Sequence, residues 1–127
     1  MMQLTNGYTA YKNNSVNFAS KEQLLLMLLD GAVKFSKMSR QAIVDKDIKK
    51  AHENLMKVQD IFIELRVTLD INQGGEWARN LAKVYDFIIE NLRKVNFKKD
   101  IELLDETMPI IEDIRNMWNE AYKISKR

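Results

Sequence analysis

Cysteine is absent from the 127 residues. That excludes disulfides, thiolate nucleophiles and cysteine-ligated metal sites. Histidine is nearly absent too. A di-metal site in a helical bundle needs a Glu-x-x-His pair on each of two helices. The single histidine, His52, has Lys49 three residues before it, so that pattern fails. No glycine-rich loop leads into Lys-Ser or Lys-Thr, which excludes a phosphate cradle of that kind. The sequence assembles no nucleophile with a base, and no catalytic residue, metal ligand or cofactor is expected.

Charge of one sign is also scarce. Twenty Lys and Arg stand against 18 Asp and Glu, a formal net charge of +2. A nucleic-acid partner would call for a concentrated basic face, and none is expected here. No apolar run approaches the roughly 18 to 20 residues of a membrane span. The first residues lack a basic stretch followed by an apolar one, so no secretory signal is read. A cytoplasmic, cytosolic location without membrane insertion is the expectation.

Breakers are few: one proline, Pro109, and four glycines. Chains poor in breakers and rich in Leu, Ile, Met, Lys and Glu are usually all-helical. Four helical segments can be drawn. The first starts at Ser20, where Ser-Lys-Glu-Gln reads as a capping box, and runs to about Val44. Asp47 can cap the second. Its apolar stripe is Ala51, Leu55, Val58, Phe62, Leu65 and Leu69, and Asn72-Gln73-Gly74-Gly75 is expected to end it. The third carries Leu81, Val84, Ile88, Leu92 and Val95. The fourth carries Leu104, Met108, Ile111, Ile114, Trp118 and Tyr122, with a kink or restart expected at Pro109 and Thr107 as a candidate cap. Short connections place neighbouring helices antiparallel. The predicted fold is all-α: an antiparallel up-down four-helix bundle over residues 20–127, preceded by a flexible, irregular arm, residues 1–19.

Two features exceed what a bundle needs. On the first helix, Leu26, Leu29 and Val33 project outside the main stripe of Leu24, Leu28, Ala32, Phe35 and Ala42. On the second, Met56, Ile63 and Val67 form a further stripe about 140° from the core stripe at ~100° per residue. The polar arm, meanwhile, carries Tyr8, Tyr11, Val16 and Phe18. Tyrosine has a large apolar body and a polar tip, so the arm can lie over the surplus stripes. Ordering each backbone residue costs about 1 to 2 kcal/mol. Burying a large apolar side chain returns about 1.5 to 3 kcal/mol. An arm with four anchors therefore docks weakly, as a displaceable cover over a binding groove.

The stretches YTAYKNNSVNFAS (Tyr8 to Ser20), LLLMLLDGAVKF (Leu24 to Phe35), GGEWARNLAKVYDFIIENLRKVNFKKD (Gly74 to Asp100) and IEDIRNMW (Ile111 to Trp118), in this order and spacing, resemble the FliS-type flagellar export chaperones. The chain departs from that pattern at Lys21, Leu29 and Pro109, where the family often has proline, tyrosine and an unbroken helix. The resemblance implies a flagellin-specific chaperone of type III secretion. Its client would be the disordered C-terminal segment of flagellin, which forms helices as it wraps the bundle. It also implies that Tyr8 and Tyr11 carry the covering role. Helical projection nominates Leu26, Leu29, Val33, Met56, Ile63 and Val67 as groove contacts. The alternative is a helical adaptor for another flagellar export client or a regulatory protein. The chain is expected to be a monomer or a weak homodimer.

Overall fold

The computed structural model describes residues 20–126. Four helices follow in order: α1, Lys21–Val44; α2, Ile48–Thr68; α3, Ile71–Lys98; α4, Ile101–Ser125. Each packs on its neighbours in sequence, and α4 returns to pack on α1, closing an antiparallel ring around one core. Among the described residues there is no strand. No described helix is long and apolar enough to cross a membrane.

Local chemistry sets the helix starts. Ser20 and Gln23 form the predicted capping box: the Gln23 amide donates to Ser20 Oγ at 3.2 Å, and the Ser20 amide donates to Gln23 Oε1 at 2.8 Å. Asp47, Asp70 and Asp100 cap α2, α3 and α4, each accepting from the backbone amide three residues on. A carboxylate there satisfies an orphan N–H and meets the positive end of the helix dipole. The α1–α2 and α3–α4 turns share one design, a left-handed lysine followed by a capping aspartate: Lys46-Asp47 and Lys99-Asp100. In both, the aspartate amide bonds back five residues, to Ala42 O at 2.8 Å and to Val95 O at 3.1 Å. Each exiting helix is thus closed and the next one opened within two residues.

Two expectations need correction. The Asn72–Gly75 stretch does not end the second helix. Leu69 takes extended backbone after Thr68, and Asp70 already caps α3. The glycines lie in the first turns of α3, where Gly75 alone leaves helical geometry (φ 60°, ψ −137°). That conformation is open essentially to glycine only. Gly74 is needed for another reason: a Cβ there would collide with that of Ala78. The second correction concerns α4, which runs through Pro109 without interruption. Thr107 caps nothing; its hydroxyl donates to Leu103 O at 2.7 Å and accepts from Asn91 at 3.3 Å.

The core holds the predicted stripes of α2, α3 and α4, including Leu55, Val58, Phe62, Ile88, Leu92, Leu104 and Ile111, all fully buried. Its largest fully buried side chain is Tyr85. The Tyr85 ring meets Phe62 edge-on at 5.9 Å, and its hydroxyl accepts from Trp118 Nε1 at 3.0 Å. Burial pushes the Tyr85 phenol above its ordinary range, so it stays a neutral hydrogen-bonding group. Two ion pairs tie helices across the surface: Arg40 to Asp105 (α1–α4, 2.6 Å) and Arg66 to Asp86 (α2–α3, 3.0 Å).

Candidate partner-binding surface

The nominated groove residues separate in the structure. Leu29 is fully buried and Val33 is 4% exposed, both inside the core cluster. They are not a second stripe on α1. The projection centred the core on Leu24, Leu28, Ala32, Phe35 and Ala42 and took no account of Ser36 and Ser39. Both serines are buried, and their hydroxyls donate back along the helix to Ala32 O (2.7 Å) and Phe35 O (2.8 Å). Once a hydroxyl is satisfied inside its own helix it costs little to bury. The buried arc of α1 therefore turns towards Leu29, Val33 and Ser36, and Leu24 and Leu28 become flanking, half-buried residues. Leu26 is half-buried. Tyr8 and Tyr11 lie outside the described residues.

On α2 the nominated residues keep part of their exposure. Met56 and Ile63 are half-buried, and Val67 is 73% exposed. Met56 and Val67 lie on the side of α2 turned away from both neighbouring helices, while Ile63, at the edge of that side, packs against the core cluster. The α1 side of α2 is marked by Ile61, the nearest side chain of another helix to Gly31, and by Lys57, whose ammonium sits 4.9 Å from the Phe35 ring centroid. The α3 side is marked by Phe62 against Tyr85, Arg66 on Asp86, and His52 bonded to Asn96. Between those arcs, at helical spacing, run Met56, Asp60, Ile63 and Val67.

Asp60 is the unexpected member. It sits in the outer arc yet is 6% exposed, and its Oδ1 has no hydrogen-bond partner. Burial pushes its carboxyl above the ordinary carboxylate range. Sequence reading passed over it because an aspartate on an outer helix face normally reads as solvated. The only available signal was its place inside an otherwise apolar arc, four residues after Met56 and three before Ile63.

Exposed apolar side chains stand at both ends of the bundle: Met27 (39% exposed), Val67, Trp77 (53%) and Ile124 (63%) where α1 and α3 begin and α2 and α4 finish, and Val44, Ile48 and Phe97 where α1 and α3 finish and α2 begins. Trp77 stacks edge-on against Trp118 at 5.7 Å. Residues 1–19 join the bundle at the Trp77 end, at Ser20. Single exposed apolars are ordinary on a protein surface. Among the described residues no cluster of three or more His, Cys, Asp or Glu side chains could hold a metal. What this surface offers is contact area.

These features define a class, the antiparallel four-helix bundle carrying apolar side chains beyond its core. Comparison with known proteins narrows the class to a family. The sequence profile of the family described as flagellar protein FliS matches residues 4–125. The chain is 36% identical to the flagellar secretion chaperone FliS of Bacillus subtilis, over 99% of this chain and 93% of that one. It is 34% identical to the protein of the same name from Vibrio cholerae, over 87% and 85%, and 32% identical to that of Salmonella typhimurium, over 94% and 92%. A crystal structure of a flagellar chaperone from bacteria has the same fold, with a TM-score of 0.74 over 94% of this chain and 97% of that one at 14% identity. The chain belongs to the FliS family of flagellar proteins.

Proposed function

We propose that the chain is a cytosolic flagellar secretion chaperone that binds the disordered C-terminal segment of flagellin and keeps it competent for type III export. The observation that carries this reading is the outer arc of α2, with Met56 and Ile63 half-buried and Val67 exposed, on a bundle of the FliS family. Filament subunits join by packing helices, so a free apolar helical end invites premature assembly. Laying that end along α2 blocks assembly and also keeps the segment from folding compactly on itself. The action is binding, not chemistry. Much of the gross interaction energy goes into ordering the client, which suits a complex that must later let go.

In the free chain, residues 1–19 take the client's place. Tyr8 and Tyr11 supply large apolar contacts at low conformational cost, and their hydroxyls remain available as donors. The cover nets little free energy, so a longer apolar segment displaces it.

A polymerisation assay tests the reading. One molar equivalent of this chain should stop flagellin from the same organism from assembling in vitro and leave existing filaments intact. Assembly at the normal rate and extent would contradict it.

A further inference from the structure

The outward face of α3 carries more than solvation needs. Leu81, Tyr85, Ile88, Leu92 and Val95 are buried in the core. Asp86, bonded to Arg66 of α2, marks one flank of the helix, and Asn91, bonded to Thr107 of α4, marks the other. Opposite the core, at helical spacing, run Lys83, Phe87, Glu90, Lys94, Phe97 and Lys98, all exposed. Phe87 is 52% exposed and Phe97 85%. Ile48, 55% exposed, extends the apolar contact. The hydrogen bond between His52 and Asn96 sets the start of α2 beside the end of α3, and Ile48 lies one turn before His52 on the same side of α2.

The charge left unpaired beside these side chains is positive. Lys83, Lys94 and Lys98 make no ion pair among the described residues, whereas the two carboxylates within the same span are both engaged: Asp86 by Arg66 at 3.0 Å and Glu90 by Arg93 at 3.7 Å. From Lys83 to Lys98, free cations alternate with aromatic rings over about 22 Å of helix.

We propose that this face of α3 docks the chain peripherally on an anionic lipid surface. Phe87, Phe97 and Ile48 enter the boundary between headgroups and acyl chains, and Lys83, Lys94 and Lys98 reach the lipid phosphates with their ammonium tips. Shape favours lipid over other anionic partners. The face is a ridge, one helix turned outward between two neighbours, and a bilayer accepts a ridge. An acidic peptide or a nucleic-acid strand is held in a groove. Docking here leaves the outer side of α2 open, because the Arg66–Asp86 pair stands between the two faces. Three lysines give a weak, reversible and salt-sensitive attachment, suited to a protein that visits a membrane without entering it.

The test is sedimentation of the full chain with vesicles of phosphatidylcholine, alone or mixed with phosphatidylglycerol, at low and high salt. The chain should bind the mixed vesicles at low salt, release them at high salt, and leave phosphatidylcholine alone unbound. Two double variants probe the face: Lys83→Gln with Lys94→Gln, and Phe87→Ser with Phe97→Ser. Each should lower the affinity for mixed vesicles by about ten-fold, with helix content by circular dichroism unchanged. Lys123→Gln with Lys126→Gln, at the other end of the bundle, removes the same charge and should leave binding as it was. No binding to mixed vesicles, or binding that the phenylalanine variant does not weaken, overturns the proposal. Equal weakening by the Lys123 and Lys126 variant also overturns it, because net charge alone would then be the cause. A chain that ignores vesicles but binds single-stranded RNA through these same residues would make the face a nucleic-acid surface and sink lipid docking.

Discussion

At the residue scale, two aspartates with opposite environments make the chemistry of the bundle testable. Asp105 receives two hydrogen bonds from Arg40, at 2.6 and 3.1 Å, and this holds its carboxyl below the ordinary range. Asp60 is raised by desolvation. The signs differ accordingly. The Asp105 contribution is in place above the ordinary carboxylate pKa of about 3.9 and is lost as pH falls through its lower folded value. Asp60 costs stability at neutral pH, because the folded chain prefers it protonated and neutrality removes that proton. Its cost fades as pH falls through its raised folded value towards the unfolded one. Asp60→Asn should therefore raise the unfolding free energy by about 1 kcal/mol at pH 7. Denaturant titrations should show that gain shrinking as pH falls from neutrality towards the ordinary carboxylate pKa of about 3.9. A gain that does not change with pH would mean that ionisation is not its source.

At the element scale, the turns carry opposite lessons for glycine. Lys99 stands at φ 54°, where a side chain is disfavoured, and Gly75 at φ 60°, ψ −137°, where any side chain is strained although a Cβ would touch nothing within 4 Å. Lys99→Gly should stabilise the chain by up to about 1 kcal/mol. Gly75→Ala should destabilise it by about 1 to 3 kcal/mol. Thermal unfolding of the two variants checks the pair, and equal small effects would show that backbone strain governs neither site. Sequence reading found the helices because caps and apolar spacing are local signals: Ser20 with Gln23, Asp47, and the run from Ala51 to Leu65. It misjudged what depends on partners. Ser36 and Ser39 looked polar, but each satisfies its hydroxyl within α1, so Leu29 and Val33 became core. Glycines read as terminators proved to sit inside α3, because Asp70 had already capped it. Thr107 read as a cap because of Pro109, yet it anchors α4 to Asn91. The outer arc of α2 was legible from Met56, Ile63 and Val67. Asp60 was not, because an aspartate on an outer helix face reads as solvated.

For the whole molecule, the central claim is that this bundle holds a segment that is disordered when free and folds along the bundle. The half-buried Met56 and exposed Val67 on the outer side of α2 and membership of the FliS family support that claim together. Coupled folding and burial leave a thermodynamic mark, a negative heat-capacity change on binding. Calorimetric titration of the full chain with the C-terminal segment of flagellin from the same organism, at several temperatures, reads that mark directly. The account predicts saturable binding near one to one, enthalpy that becomes more favourable as temperature rises, and tighter binding once residues 1–18 are removed. Absence of saturable heat with and without residues 1–18 would contradict it, and would leave the bundle with a different flagellar partner.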